Sequence, residues 1–154
     1  MVDQQIAPSR AKPTRRPATA GRSAQKWAAP DVSIVVVHYE TPRELRECLA
    51  SVGAASSGVS SEIFVVDNAS AGFVAEHVTT TLPGAMVLRN RENHGFAVAA
   101  NQALRHANGR YLLLVNPDTV MAPDTLRRMV DYMDVRVAKC LVGGDGEAMV
   151  LAVA

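Results

Sequence analysis

The sequence predicts an α/β fold in which helices cover both faces of a mostly parallel sheet. From Asp31 onward, short β-branched runs alternate with stretches that have the apolar spacing of helices, which is the pattern of successive βαβ units. The run 33–38 (SIVVVH) is apolar on both faces, as expected for a strand covered by helices on both sides. A chain of 154 residues that is 48% hydrophobic is long enough to bury one such core.

The first predicted strand, 33–38, is followed by a helix start. The Thr41 hydroxyl can cap the helix, Pro42 suits the first helical position, and Glu44 can reach back to the cap. Apolar side chains then recur at intervals of three and four residues, which predicts a helix packed against the sheet. These side chains are Leu45, Cys48, Leu49 and Val52.

The middle of the chain predicts two further strands, 62–66 (EIFVV) and 85–88 (AMVL), with a short helix around 73–80 between them. A longer helix follows, which ends at Asn108-Gly109. The residues expected on its apolar face are Phe96, Ala100, Ala103, Leu104 and Ala107.

The last part begins with the most apolar strand, 111–115 (YLLLV), which runs into Asn-Pro-Asp-Thr at 116–119. Pro123 lies near the start of the next predicted helix, whose apolar face is formed by Leu126, Met129, Val130 and Met133. Beyond it, 137–142 and 147–153 predict two strands around a glycine-rich turn at 143–146.

The first thirty residues differ from the rest of the chain. They carry six Lys and Arg against one acid, four of the eight prolines and almost no branched aliphatic residues. Such a segment cannot bury enough surface to offset the entropy of ordering. We therefore expect a disordered, basic, Pro-rich tail at 1–30 and a folded domain at 31–154. A solvated tail is favoured over weak contact with anionic lipid or nucleic acid.

Composition also excludes several classes of protein. No apolar run approaches the roughly 18 residues needed to cross a bilayer, so no transmembrane span is expected. Two cysteines without a CxxC motif, and four scattered histidines, support neither a disulfide framework nor a zinc site. These features favour a cytoplasmic protein, with peripheral contact at the inner face of the membrane left open.

Polar residues follow each predicted strand. His38-Tyr39-Glu40, Asp67-Asn68, Arg89-Asn90 and Asn116-Pro117-Asp118 come directly after the four strands. In an open parallel sheet, ligands bind outside the carboxyl ends of the strands. Carboxylates and amides gathered there could hold a ribose, a base edge and a metal-bridged diphosphate.

Four stretches resemble the nucleotide-binding half of family 2 glycosyltransferases, and most of all the rhamnosyltransferase-like branch. They are SIVVVHYETPRELRECLASV, EIFVVDNAS, RNRENHGFAVAANQAL and YLLLVNPDTVMAPDTLRRMV, and together they span about 31–146. The resemblance implies a GT-A, Rossmann-like fold, a nucleotide-diphospho-sugar donor, a divalent metal (Mg²⁺ or Mn²⁺) and inversion at the anomeric carbon. It also implies a glycan or lipid-linked acceptor, a place in cell-wall polysaccharide biosynthesis, and no nucleic-acid partner.

The resemblance carries over to single positions of the nucleoside site. Asp67 would hydrogen-bond the base, as the acid of the VVDNAS-like motif does in the family. Tyr39 and Glu40 would flank the base and the ribose.

It likewise implies roles for two later segments. Asn93 and Gly95 belong to a loop that would close against the nucleotide, and Asn101 on the next helix would help to fix that loop. Asn116 to Asp118 stand where the family has its DxD motif, so Asp118 would bind the metal and Asn116 would contact the nucleotide. Asn116 replaces the first acid of that motif and lowers the negative charge of the site.

Structural interpretations of the same residues stay open at this point. An Asp after a buried strand often caps the next helix, which applies to Asp67 and Asp118. Asn93 and Gly95 could serve only the backbone of a loop. Other α/β classes fit poorly, since neither GxGxxG nor GxxxxGK(S/T) is present and Asn116 stands where a phosphatase of the haloacid dehalogenase type needs Asp.

The resemblance also implies a second half that supplies the acceptor site and a carboxylate general base. The sequence stops before it, and Asp145, in a turn, is a poor candidate, so no catalytic residue is assigned. Two hypotheses remain open: a glycosyltransferase of which this chain is all or part, and a truncated or degenerate nucleotide-sugar-binding module without turnover.

Overall fold

The computed structural model describes residues 29–140 and 149–153. Five strands form one fully parallel sheet in the order β3-β2-β1-β4-β5. The strands are β1 (Val32–His38), β2 (Ser61–Asp67), β3 (Met86–Arg89), β4 (Tyr111–Val115) and β5 (Met149–Val153). The helices are α1 (Pro42–Ala55), α2 (Ala75–Thr81), α3 (Phe96–Leu104) and α4 (Thr125–Cys140).

The helices cover both faces of the sheet, as the sequence predicts. On one face α1, α2 and α4 pack against alternate strand residues, among them Ile34, Val36, Val65, Leu113 and Val115. On the opposite face α3 packs against Val35, Val37, Phe64 and Val66. Because β1 is buried along its whole length, the middle of the strand is apolar on both faces, which explains the run IVVV at 34–37.

The start of α1 differs in one detail from the expected capping box. Pro42 occupies the first turn, but the Thr41 side chain makes no capping hydrogen bond. Its Oγ1 lies 2.9 Å from Nδ1 of His38 instead. A buried imidazole needs a hydrogen-bond partner more than an exposed helix end does, because water satisfies the latter.

The expected apolar face of α3 is wrong at Phe96, whose side chain is 49% exposed. The buried residues are the alanines Ala99, Ala100 and Ala103. Their small side chains form the face that packs on β1 and β2. Phe96 shares the helical spacing of these alanines, but it is the first residue of α3 and its side chain stays half exposed.

The strand expected at 137–142 is wrong as far as Cys140, because α4 continues to that residue. Val137 and Cys140 follow Met133 at intervals of four and three residues, so they extend the helical period. The expected strand at 147–153 exists as β5 but pairs in parallel with β4 and not in a hairpin. The turn at 143–146 and the tail at 1–28 lie outside the described residues. Within the described ranges, no helix is both long and apolar enough to span a membrane.

Candidate functional site

The carboxyl ends of the strands bring the predicted site residues to one edge of the sheet. His38 is aligned with Asp67, and Asp67 with Arg89. Strands β2 and β4 flank β1, so they lie roughly 10 Å apart, and Asp118 follows β4 by three residues. The chain reverses its direction of travel across the sheet between β1 and β4, which makes this edge the topological switch point where ligands bind in open α/β sheets.

Asp67 is fully buried and has two different carboxylate oxygens. Oδ1 accepts a hydrogen bond of 3.0 Å from the backbone N–H of Ser70, which fixes the turn in which Ala69 has a φ of 72°. Oδ2 has no hydrogen-bond partner, although Nε of Arg89 lies 3.3 Å away and forms an ion pair with it. Asp67 therefore has a structural role, which is to close a turn and not to cap a helix. This role uses Oδ1 and leaves Oδ2 without a hydrogen bond.

Glu40 joins the loops that follow β1 and β2. Its backbone N–H donates to Oγ of Ser70 at 2.9 Å, and its Oε1 accepts from the N–H of Ala71 at 2.7 Å. These bonds hold Glu40 at a φ of 56°, a conformation that costs energy for a residue with a side chain. The preceding Tyr39 stays 49% exposed at the edge of the sheet.

The loop before α3 is held by side-chain amides. Oδ1 of Asn93 accepts from the Gly95 N–H at 2.9 Å and from Nδ2 of Asn68 at 2.6 Å. Gly95, at a φ of 77°, provides the left-handed residue at which α3 begins. The role expected for Asn101 is wrong: this residue is exposed on α3, and the buried Asn68 holds the loop.

The turn after β4 lies over helix α1. The carbonyl of Asn116 accepts from the Thr119 N–H at 3.1 Å and from the Cys48 thiol at 3.6 Å. Burial raises the pKa of Cys48 to about 11, and the negative charge of Asp118 contributes to the rise. Asp118 itself is exposed to solvent. In the described part of the chain, no group of three or more His, Cys, Asp or Glu side chains could hold a metal ion.

His38 is a buried histidine at the same edge. Its ring lies 5.8 Å from that of Phe73, and burial lowers its pKa against the opposing effect of Asp67, Glu40 and Glu44. A cavity of about 100 Å³ between α1 and α2 is lined by His38 and Ser70 among others. Neither Asp67 nor Asp118 lines this cavity, so it is not a hollow that the two aspartates share.

Sequence reasoning placed Asn68, Asn90 and Ser70 near the site without giving them roles. The same signal that singled out Asp67, a polar residue directly after a buried strand, also marks Asn68 and Asn90. Their hydrogen-bond partners come from segments more than twenty residues away, which no local pattern reveals.

Comparison with known proteins assigns the chain to a family. The family model described as "Glycosyl transferase family 2" matches residues 33–144. An N-acetylglucosaminyltransferase of Mesorhizobium japonicum is 30% identical over 139 residues, which is 85% of this chain and 32% of that protein. The succinoglycan biosynthesis protein ExoO of Rhizobium meliloti is 31% identical over 114 residues, which is 73% of this chain and 32% of that protein. The chain therefore spans about a third of the length of these relatives.

A solved structure shares the fold. The mannosyltransferase PcManGT of Pyrobaculum calidifontis, in complex with GDP-Man and Mn²⁺, superposes with a TM-score of 0.61 and 28% identity, over 70% of this chain and 33% of that one. The expected GT-A fold is thus confirmed, whereas the rhamnosyltransferase-like branch stays a prediction. The chain belongs to glycosyl transferase family 2.

Proposed function

We propose that this chain binds the donor in a glycosyltransferase that moves a sugar from a nucleoside diphosphate to a hydroxyl acceptor. The observation that carries the proposal is the buried Oδ2 of Asp67 at the switch-point edge, which accepts no hydrogen bond and has the exposed Arg89 as its ion-pair partner. The ion pair offsets part of the cost of burying this charge, and an N–H of the ligand would supply the hydrogen bond that Oδ2 lacks. Family membership supports the same activity.

The chemistry of Asp67 narrows the donor. An ionised carboxylate only accepts hydrogen bonds, so it favours a base that offers a ring N–H. Uracil, thymine and guanine have such an N–H, whereas adenine and cytosine offer only amino N–H groups, which are less acidic and therefore weaker donors to a carboxylate. The PcManGT complex with GDP-Man is consistent with this class of base. Exposed Tyr39 offers an aromatic face on which the base can stack.

The residues after β4 fit a divalent cation held together with the diphosphate. Asp118 provides one exposed carboxylate, and Asn116 provides an amide oxygen. Mg²⁺ and Mn²⁺ take oxygen ligands, and Mg²⁺ in particular is commonly bound by one or two carboxylates plus substrate phosphates, so a large cluster of protein ligands is not needed. When bound, the cation neutralises the charge that develops on the diphosphate leaving group.

The chain's own residues orient the donor in this proposal. Asp67 fixes the base, the Glu40–Ser70 junction holds Tyr39 in place, and Asp118 stands at the diphosphate end. At this edge Asp67 and Glu40 are already engaged in hydrogen bonds with neighbouring loops. We therefore propose that the base that deprotonates the acceptor hydroxyl lies outside the described residues. The identity of the acceptor, as a glycan or a lipid-linked sugar, stays a prediction.

Binding of a nucleotide panel to Asp67→Asn tests the proposal. In this variant Oδ1 still accepts from Ser70, so the turn persists, but an NH₂ group replaces Oδ2 and with it the ion pair to Arg89. Isothermal titration with UDP, dTDP, GDP, ADP and CDP should give binding of at least one of the first three and weaker binding of the last two. Asp67→Asn should lower the affinity for the preferred nucleotide about tenfold or more. Equal affinity for all five, or an unchanged affinity in the variant, contradicts the proposal.

A further inference from the structure

Asn68 is the most fully engaged polar side chain at the candidate site. It is 2% exposed. Its backbone N–H donates to the His38 carbonyl at 2.8 Å, and its Nδ2 donates to Oδ1 of Asn93 at 2.6 Å. Its Oδ1 accepts from Nδ2 of Asn90 at 3.0 Å and from the His94 N–H at 3.1 Å. One residue thus connects the ends of β1, β2 and β3 with the loop before α3.

These bonds continue into the start of α3. Oδ1 of Asn93 also accepts from the Gly95 N–H at 2.9 Å, so the Asn68 amide, the Asn93 amide and the residue that precedes the helix form one chain of hydrogen bonds. The buried amides of Asn68 and Asn90 are costly to leave unpaired, so the network anchors the more exposed loop at 93–95 to the buried end of β2. The loop is hydrogen-bonded to Asn68 without a ligand, and its closure against the nucleotide stays a prediction.

We propose that Asn68 is a positioning residue for the donor nucleotide, an inference that rests on the proposed function. Both polar ends of the Asn68 side chain already bond to groups of the protein, so Asn68 is not a main contact of the ligand itself. It acts through Asn93, which ties the 93–95 backbone to the residue that follows Asp67. The N–H of Asn90 donates to the Asp67 carbonyl at 2.8 Å, so the same network also fixes the strand end that carries the base-binding carboxylate.

The network requires an amide at position 68. The substitution Asn68→Asp would set a carboxylate oxygen against Oδ1 of Asn93, at a place where two acceptors cannot both be satisfied. If Asn93 turned its amide to donate to the new carboxylate, it would lose the acceptor that binds the Gly95 N–H. Asn68→Ala removes both side-chain links. Both variants should therefore release the loop, and the isosteric Asn68→Asp does so with almost no change of volume.

The experiment compares Asn68→Ala and Asn68→Asp with two controls in the full 154-residue chain. Asn101→Ala removes an exposed amide on α3 that sequence reasoning expected to hold the loop. Val52→Ala truncates a buried core residue of α1 and lowers stability without touching the network. The ligand is whichever of UDP, dTDP and GDP the unaltered protein binds most tightly, in the presence of Mn²⁺. Affinity is measured by titration at a temperature where every variant is fully folded.

Both Asn68 variants should bind about fivefold more weakly or worse, which corresponds to the loss of about one net hydrogen bond. The His94 backbone N–H should exchange faster with solvent in Asn68→Ala. Asn101→Ala and Val52→Ala should keep the original affinity, although Val52→Ala melts earlier. A merely structural role would lower the melting temperature but leave the affinity of the folded protein unchanged.

The two proposals fail in different ways. If the unaltered protein binds no nucleoside diphosphate, the proposed function is contradicted. If it binds one and the Asn68 variants bind equally well, the positioning role is overturned and the proposed function stands. Should Asn68→Ala not fold, the isosteric Asn68→Asp decides the question.

Discussion

Glu40 and Ser70 fasten together the loops that follow β1 and β2. The Glu40 N–H donates to Oγ of Ser70 at 2.9 Å, and this bond helps to hold Glu40 in a left-handed conformation. Tyr39 directly precedes Glu40, so the backbone conformation of Glu40 also sets the position of Tyr39 at the edge of the sheet. The buried hydroxyl of Ser70 therefore helps to set the position of the exposed Tyr39 ring.

Ser70→Ala should destabilise the protein and weaken nucleotide binding together. The variant removes the acceptor of the Glu40 N–H, and because Glu40 is exposed we expect the net cost of one hydrogen bond, about 0.5–1.5 kcal/mol. Urea unfolding measures the stability, and titration with the preferred nucleotide measures the affinity. Ser57→Ala, at an exposed turn position, should change neither quantity. Equal stability of Ser70→Ala and Ser57→Ala would show that the hydrogen bond between Glu40 and Ser70 does not stabilise the protein.

Gly109→Ala should be strongly destabilising. A Cβ at this position would lie 2.4 Å from the backbone N and 2.6 Å from the Oγ of Ser33, so β1 would have to move. We expect a loss of about 2–4 kcal/mol in the free energy of unfolding. Gly72→Ala is the comparison: its Cβ meets nothing within 4 Å, and only the φ of 71° costs energy. A smaller loss for Gly109→Ala than for Gly72→Ala contradicts the close approach.

The stability of the protein should fall in mild acid because of His38. Burial lowers the pKa of this histidine, so the unfolded chain takes up a proton at a higher pH than the folded protein does. The stabilisation that comes from the lowered pKa of His38 is fully present above the ordinary histidine pKa of about 6.5. It is lost as the pH falls from there through the pKa of His38 in the folded protein.

The slope from one proton is at most about 1.4 kcal/mol per pH unit. Unfolding free energies measured across this pH range should show a smaller slope in His38→Gln, whereas His106→Gln, at an exposed position, should keep the original slope. The same slope in all three proteins would remove His38 as the cause.

Much of the site could be predicted because strand ends are visible in the sequence. Asp67 and Asp118 each come at or shortly after the end of an apolar run, and parallel pairing then brings them to one edge. The role of Asn68 could not be predicted, because its partners Asn90 and Asn93 are more than twenty residues away and only strand pairing brings them close.

The errors in the fold have related causes. At Val137 the largely apolar stretch 137–142 fits a strand as well as a continuation of the helical period, and α4 continues to Cys140. At Phe96 the apolar spacing predicts burial, but only the alanines further along the same face of α3 are buried against the sheet, and Phe96 at the start of the helix stays half exposed.

The most direct test of the account is whether Asp118 couples nucleotide binding to a divalent cation. Titration of the preferred nucleoside diphosphate with and without Mn²⁺ should show affinity raised about tenfold or more by Mn²⁺ in the unaltered protein. Asp118→Asn should lose this dependence, and Asp124→Asn, an exposed residue that pairs with Arg128 beside α4, should keep it. An equal effect of Mn²⁺ on Asp118→Asn and on the unaltered protein would contradict the assignment of Asp118 to the diphosphate end of the site.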